Sequence, residues 1–391
     1  MFAPAGIVVD QVPTTHLGHA RDVVQHMTGD DLYAYAGIII VSGDGLIAEV
    51  YQGLAQRDDA DSALQIPLGP LPAGSGNGLC KSIMHAAGLS PEPGPVDHLD
   101  AARLICRGAS QPLDLAAIEL SGASDAVPNP FTSFLSISWA LIGDVDISAD
   151  FLRPYLGAAR GRHSYSRRLR YPRLYHGTIE YRPPSVSRDA APMPPLGTPL
   201  DADDGWITLE GPFLNLWACN VPWMTLDSEV APDADINDGL WQLAVSHGPE
   251  LASLSPSELQ GMVVEVQEAM DAHDETHPHF AVIAASAFRL LPTGRAEGAT
   301  DETEEEIRAA GAKAMVRAID VTADEAEAAM VGVRTEVEVD RVIELVATGE
   351  SKYADEMGFI SVDGEWAKYG DVQVDVLPGK GRVFFSHANK L

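Results

Sequence analysis

The 391-residue chain is poor in cysteine, in basic residues and in uninterrupted apolar sequence, and each shortage excludes something. Its three cysteines, Cys80, Cys106 and Cys219, are far apart, odd in number and free of any Cys-x-x-Cys spacing, which excludes a disulfide framework and a cysteine zinc site and fits a reducing, intracellular setting. Lysine and arginine number 26 against 57 aspartates and glutamates, a formal net charge of −31. That balance speaks against nucleic acid as a partner, because phosphate backbones are held by Lys and Arg. No apolar run approaches the roughly 20 residues of a membrane span, so membrane contact is expected to be peripheral and the chain cytoplasmic. The opening "MFAPAGIVVDQVPTTHLGHARDVV" has neither the basic n-region nor the long apolar core of a secretory signal. His16, His19, His277 and His279 show no metal-ligand spacing, so no protein metal ligands are predicted. No internal repeat is visible.

What is present is an ordinary globular composition, 46% hydrophobic and 21% charged, in a chain too long for a single typical core. From Ile7 to about Arg107, short apolar runs alternate with helical periodicity: strands at 6–10, 36–41 and near 65–71, helices at 17–27, 46–54, 78–87 and 96–106. This predicts an α/β domain with a parallel sheet over residues 1–110. From Leu113 the pattern changes to strand-like runs between Pro- and Gly-rich turns: Leu113–Leu120, Ser133–Leu141, Thr178–Tyr181, Trp206–Leu209, Leu214–Asn220, Gly239–Ser246, Phe280–Leu290 and Val383–Phe385. Residues 111–391 are therefore expected to form a mainly antiparallel β-sandwich. Two stretches interrupt it: 182–204, rich in Pro, Asp and Ala and read as a loop, and 296–357, acidic and helical in pattern.

Two glycine-rich corners stand out in the first domain. "VSGDGLIAEV" (Val41–Val50) sets Asp44 between two glycines where a strand becomes a helix, and "LPAGSGNGLCKSIMHAAG" (Leu71–Gly88) repeats the strand–loop–helix arrangement 32 residues later. Glycines let a backbone turn sharply and approach a ligand closely, and a helix N-terminus presents unpaired N–H groups that suit a phosphate. One such corner is also met as a plain tight turn; two in one α/β domain suggest a polyphosphate held between them. In this acidic chain the segment from Arg153 to Arg182 carries eight arginines and one acidic residue, Glu180. It is either an anion-facing surface or a solvated one. Asp144 and Asp146 in "GDVDIS" are two apart and would share one face of a strand.

The run "SGDGLIAEVYQGL" followed by "PLPAGSGNGLCKSI" resembles the nucleotide-binding region of the sphingosine (long-chain base) kinases, within the diacylglycerol-kinase-like superfamily. Ser42 and Leu46 stand where the wider superfamily has the first Gly and the Thr of Gly-Gly-Asp-Gly-Thr. "SFLSISWALIGDVDIS", "LRPYLGAARG", "YHGTIEYRP", "SAFRLLP" and "ISVDGEW" continue the similarity in the family's order. The resemblance implies an ATP-dependent kinase, with Mg²⁺, acting on the primary hydroxyl of a sphingoid base. It implies Asp44 as general base, with Ser42, Gly43 and Gly45 shaping the acceptor corner and Asp146 holding the lipid head group. For the nucleotide it implies Thr14, Glu49, Gly74, Ser75, Gly76, Arg153, Arg160, Asp363, Gly364 and Glu365. Paired carboxylates would suit the amine that sphingoid bases carry and diacylglycerol lacks. A peripheral membrane surface is the expected meeting place with the lipid, and homo-oligomerisation is left open.

The family normally begins with a further strand, an Asn-Pro-x-x-Gly phosphate loop and a helix. This sequence lacks them and opens at what would be the second strand, so a start upstream is expected. Two alternatives to the sphingoid-base kinase remain: a lipid-binding pseudokinase, and a diacylglycerol or ceramide kinase, the latter disfavoured by Ser42, Leu46 and the Gly-Ser-Gly-Asn loop.

Overall fold

The computed structural model describes residues 2–90, 92–121, 131–151, 164–166, 168, 172–184, 193–274, 276–295, 360–363, 365–367 and 371–386. The expectations placed on Arg153, Arg160, Gly364 and the acidic stretch 296–357 lie outside these residues, as does the side chain of Glu365.

The first part alternates helix and strand: α1 (His19–His26), α2 (Gly29–Leu32), β1 (Ile38–Ser42), α3 (Asp44–Ala55), α4 (Ala60–Ala63), β2 (Leu68–Pro72), α5 (Gly78–Ala86) and α6 (His98–Cys106). β1 and β2 are parallel and in register from Ile38↔Leu68 to Ser42↔Pro72. Their last residues are thus neighbours, and the two glycine loops leave the sheet side by side at the carboxyl ends of parallel strands, where ligands bind in open α/β sheets. α6 begins where Asp97 accepts the N–H groups of Leu99 and Asp100, an N-cap the sequence states plainly.

The remaining strands are β3 (Ser110–Leu120), β4 (Phe131–Ser133), β5 (Ser136–Ala140), β6 (Tyr175–Arg182), β7 (Ile207–Glu210), β8 (Phe213–Cys219), β9 (Trp241–His247), β10 (Ala281–Ala285), β11 (Ala287–Arg295), β12 (Ile360–Val362), β13 (Glu365–Ala367) and β14 (Val372–Phe384). α7 (Leu141–Phe151) and α8 (Pro256–Ala272) interrupt them. Apart from β1–β2 and the single parallel contact Val383↔Leu68, their ladders are antiparallel. The fold class is therefore an α/β unit followed by a mainly antiparallel strand-rich region, as expected. β14 joins them, lying against β3 for most of its length and touching β2 at its end.

The antiparallel strands curl into two facing layers. Trp241 on β9 meets Phe288 on β11, and Trp139 on β5 meets Tyr175 on β6, although neither pair of strands shares a ladder. Phe213 completes this aromatic interior at 5.5 Å from Trp139. A separate apolar core lies beneath α1, α3, α5 and α6.

Three local expectations are corrected. Residues 6–10 form no strand: they are turn and coil, Val8 is 89% exposed, and the open edge of β1 is left unpaired by them. Ser133–Leu141 is not one strand but β4, a turn and β5, and the chain then enters α7. Asp144 and Asp146 consequently lie on a helix, about 200° apart around its axis, and do not share a strand face. The run Phe280–Leu290 breaks at Ser286, whose N–H bonds back to Arg182, so it makes two strands that pair with different neighbours. α8 was not foreseen, though Ser255 and Glu258 form a reciprocal capping box ahead of Pro256, a signal legible in "SPSE".

Candidate active site

Asp44 opens α3 and is buried, 8% exposed. Its Oδ2 accepts the N–H of Gly78 at 2.9 Å and its Oδ1 that of Leu79 at 3.1 Å. The carboxylate thus sits between two helix N-termini, its own and that of α5, whose partial positive charges favour the ionised form. Burial works in the opposite sense and prevails, pushing the carboxyl above its ordinary range. A carboxylate with raised pKa is a better proton acceptor near neutrality.

The two glycine loops touch through their backbones. A Cβ on Gly74 would lie 2.3 Å from Gly43 Cα, and one on Gly76 would lie 3.0 Å from Asp44 Oδ2. Only residues without side chains allow this approach. Asn77 fixes the second loop: its Oδ1 accepts from Gly74 N at 2.9 Å and its Nδ2 donates to Gly74 O at 2.8 Å. It does so from a left-handed backbone, φ 61°, which Asn tolerates better than most residues. Gly74 and Ser75 stay exposed in front of the nine-residue helix α5, so the loop retains an open face at a helix N-terminus. From the far side the corner is braced by the turn after β8: Ser82 Oγ accepts from Trp223 N at 3.0 Å, and Asn77 bridges Thr225. Lys81, fully buried, lies over the Trp223 ring at 4.6 Å and donates to Ser90 Oγ at 2.8 Å. Nothing in the spacing of Asn77, Lys81 and Ser82 announced their contacts with Trp223 and Thr225, because the two segments are about 140 positions apart.

Glu49 spends both oxygens on α1, accepting from Gly18 N at 2.8 Å and Ala20 N at 3.1 Å. It therefore ties α3 to the segment that follows Thr14, which is itself exposed in coil. Ser42 and Gly45 flank Asp44 and are partly exposed.

Asp146 and Asp363 lie elsewhere, around β5 and β12. α3 connects the two places, since Gln52 Oε1 accepts the N–H of Thr132 on β4 at 2.9 Å and the ring of Tyr51 lies 5.6 Å from that of Phe134. Asp363, left-handed at φ 51°, accepts Ser133 Oγ at 2.7 Å and the N–H groups of Leu135, Ser136 and, at 3.3 Å, Phe134. It clamps the turn between β4 and β5, and burial lifts its carboxyl to about 6 against those hydrogen bonds. Asp146, partly exposed on α7, accepts Ser138 Oγ at 3.0 Å; burial lifts it to about 6 as well. Asp144 turns the other way, its Oδ2 meeting Tyr175 Oη at 2.5 Å and Arg168 Nε at 3.3 Å, while its Oδ1 is buried without a hydrogen-bond partner. Of the two aspartates, Asp144 is 1% exposed and Asp146 partly exposed. Among the described residues no group of His, Cys, Asp or Glu could hold a metal ion, and no helix is long and apolar enough to cross a membrane.

The model of the diacylglycerol kinase catalytic domain matches residues 1–118. Sphingosine kinase 1 of Arabidopsis thaliana is 32% identical over 314 residues, covering 75% of this chain and 60% of that protein. Sphingosine kinase 2 of Homo sapiens is 37% identical over 199 residues, 51% of this chain and 29% of that one. The chain thus spans less than two thirds of the relatives it matches. A crystal structure of a candidate diacylglycerol kinase from Bacillus anthracis str. Sterne superposes with a TM-score of 0.53 at 14% identity, covering 95% of this chain and 84% of that one, a likeness of fold. Residues 1–118 therefore match the diacylglycerol kinase catalytic domain, and over three quarters of its length the chain is similar to a sphingosine kinase.

Proposed function

We propose that the protein is a lipid kinase that transfers the γ-phosphoryl group of ATP to the primary hydroxyl of a sphingoid long-chain base. The observation that carries this reading is the junction of Asp44 with the Gly74–Gly76 loop, a buried carboxylate beside an open backbone cradle at a helix N-terminus. Phosphoryl transfer asks for little covalent help and much positioning, so a proton acceptor next to a phosphate-binding loop is the essential pair. The exposed Gly74 and Ser75 backbone would hold the nucleotide phosphates at the N-terminus of α5, and the close packing of Gly74 on Gly43 would keep that loop beside Asp44. Mg²⁺ brought with the nucleotide would offset charge on the transferred group, since the described residues form no cluster of His, Cys, Asp or Glu to hold it. Asp44 then takes the hydroxyl proton as the acceptor oxygen bonds to phosphorus and the bond to the ADP oxygen breaks. Asp146 pairs with the acceptor's ammonium group, which distinguishes a sphingoid base from diacylglycerol. The aromatic interior between the layers would bury the alkyl chain, each methylene adding about 0.8 kcal/mol.

The test is phosphate transfer from labelled ATP to sphingosine, diacylglycerol and ceramide side by side, with Asp44→Asn as control. Transfer to sphingosine that the Asn variant loses is the expected result. Transfer to diacylglycerol alone overturns the acceptor, and an Asn variant of full activity overturns the base. Thermal stabilisation by sphingosine without turnover would leave a lipid-binding protein instead of an enzyme.

A further inference from the structure

Ser138 and Ser361 occur in two strands that are remote in sequence and adjacent in space. They are direct cross-strand partners between β5 and β12, and each is 1% exposed. Directly opposed residues of an antiparallel pair carry their side chains on the same face, a few ångströms apart. Here that face meets α7: Ser138 Oγ donates to Asp146 Oδ2 at 3.0 Å. Ser361 Oγ is buried with no hydrogen-bond partner, yet lies close enough to Asp146 for its hydroxyl to favour the ionised carboxylate. A hydroxyl left unused in a folded interior calls for an explanation. The register that brings it there is set by Asp363, two residues on, whose clamp on Ser133–Ser136 docks β12 against β5.

We infer that Ser138 and Ser361 are positioning residues, a pair of hydroxyls that keeps the Asp146 carboxylate ionised and aimed at the ammonium group of the acceptor. The inference rests on the reading of Asp146 as the head-group acid. Its physical basis is a contrast among three aspartates. Asp44 is held by backbone N–H groups, and Asp363 by backbone N–H groups together with the Ser133 hydroxyl, so truncating one side chain leaves donors on each. Asp146 has burial against it and, for it, only the two serine hydroxyls. Among the described residues, the elements packed against α7 offer no other charge to take over their role. Of the elements packed against α7, β5 bears no ionisable side chain, β8 bears Cys219, bonded to Trp217 O, and β12 leads to Asp363, committed to its own turn. β13 bears Glu365, whose side chain lies outside the described ones. On α7 itself, Asp144 is engaged through Oδ2 by Tyr175 and Arg168, and the side chain of Asp150 lies outside the described ones. A protonated Asp146 could still form a hydrogen bond, but it could not pair with a cation.

The experiment is the pH dependence of kcat and KM for sphingosine, between pH 5.5 and 8.5, in the full chain and in Ser138→Ala, Ser361→Ala, the double variant and Ser138→Thr. The acidic limb of kcat/KM is expected to move up by roughly one pH unit in the double variant. At pH 7 KM rises several-fold while kcat changes little; the defect fades by pH 8.5, and the Thr variant, which keeps a hydroxyl, behaves as wild type. A folded double variant with the wild-type limb overturns the inference while leaving the kinase reading intact. A wild-type protein that phosphorylates no sphingoid base overturns both. If the alanine variants do not fold, a ¹³C titration of the Asp146 carboxyl in wild type and Ser138→Thr decides instead, an unchanged midpoint supporting the role and a midpoint raised despite the hydroxyl refuting it.

Discussion

Replacing Gly74 by alanine probes the contact on which the proposed chemistry depends. The added Cβ would lie 2.3 Å from Gly43 Cα and 2.6 Å from Gly43 N, where ordinary carbon contacts lie at about 3.5–4.0 Å. The two loops must therefore separate by roughly 1 Å or more. Neither can yield freely, since Asn77 holds Gly74 at both its N–H and its carbonyl, and Gly43 precedes a helix whose first residue is bonded to α5. Forced overpacking of this kind costs about 1–3 kcal/mol, and a shift of about 1 Å in a reacting geometry costs about 100-fold in rate. Gly43→Ala, whose Cβ would meet Gly74 Cα at 3.0 Å, should show the same defects in weaker form. Gly261→Ala in α8 is the control: its Cβ meets nothing within 4 Å, and alanine in a helix interior gains about 1 kcal/mol over glycine. Urea unfolding and the rate of phosphate transfer, measured on the three variants, should rank Gly74 worst, Gly43 next and Gly261 at or above wild type in stability. A Gly74→Ala protein of unchanged stability and rate would refute the idea that the loops need bare backbone where they meet.

Asp44→Asn should lower phosphate transfer by about 10²–10⁴-fold with the fold retained, because the amide oxygen can still accept a backbone N–H but takes no proton; circular dichroism beside the kinetic assay checks both halves. Asp114 and Asp363 are buried and lifted from 3.8 to about 6, so the folded state holds protons that the unfolded state releases. Their contribution to stability is complete below about pH 4 and is lost as pH rises through about 6, so the melting temperature at pH 5 should exceed that at pH 7. A flat profile there would contradict it. Arg289, 2% exposed, donates to Gln373 Oε1, Thr198 O, Pro194 O and Pro195 O, pinning the 193–198 stretch to the sheet. Arg289→Lys cannot reproduce this planar fork, and hydrogen exchange should quicken across residues 197–200 with little change in β11.

Much of the first unit was legible in the chain because its signals are local. The apolar runs at 38–42 and 68–72, the glycine corners behind them and the helical periodicity that follows are all readable within a dozen residues. The neighbourhood of Asp44 and Gly74 follows from two parallel strands in register, which alternating strand and helix imply. Failures occurred where a local pattern competed with a distant partner. "IVVD" has strand character but no ladder beside it, and "GDVDIS" alternates like a strand yet is drawn into a helix packed on β5, β8 and β12.

The sequence alone determined the class of fold, the two phosphate-suited corners and the acid between them, since turn chemistry and hydrophobic period act over short stretches. Only the tertiary structure decided that Glu49 spends its charge on α1, that Asp363 clamps a turn, that Asp144 and Asp146 part company, and that Ser138 meets Ser361. Those roles depend on contacts between segments about 30 to more than 200 residues apart, and a carboxylate acquires its role from the donors that such contacts bring within about 3 Å.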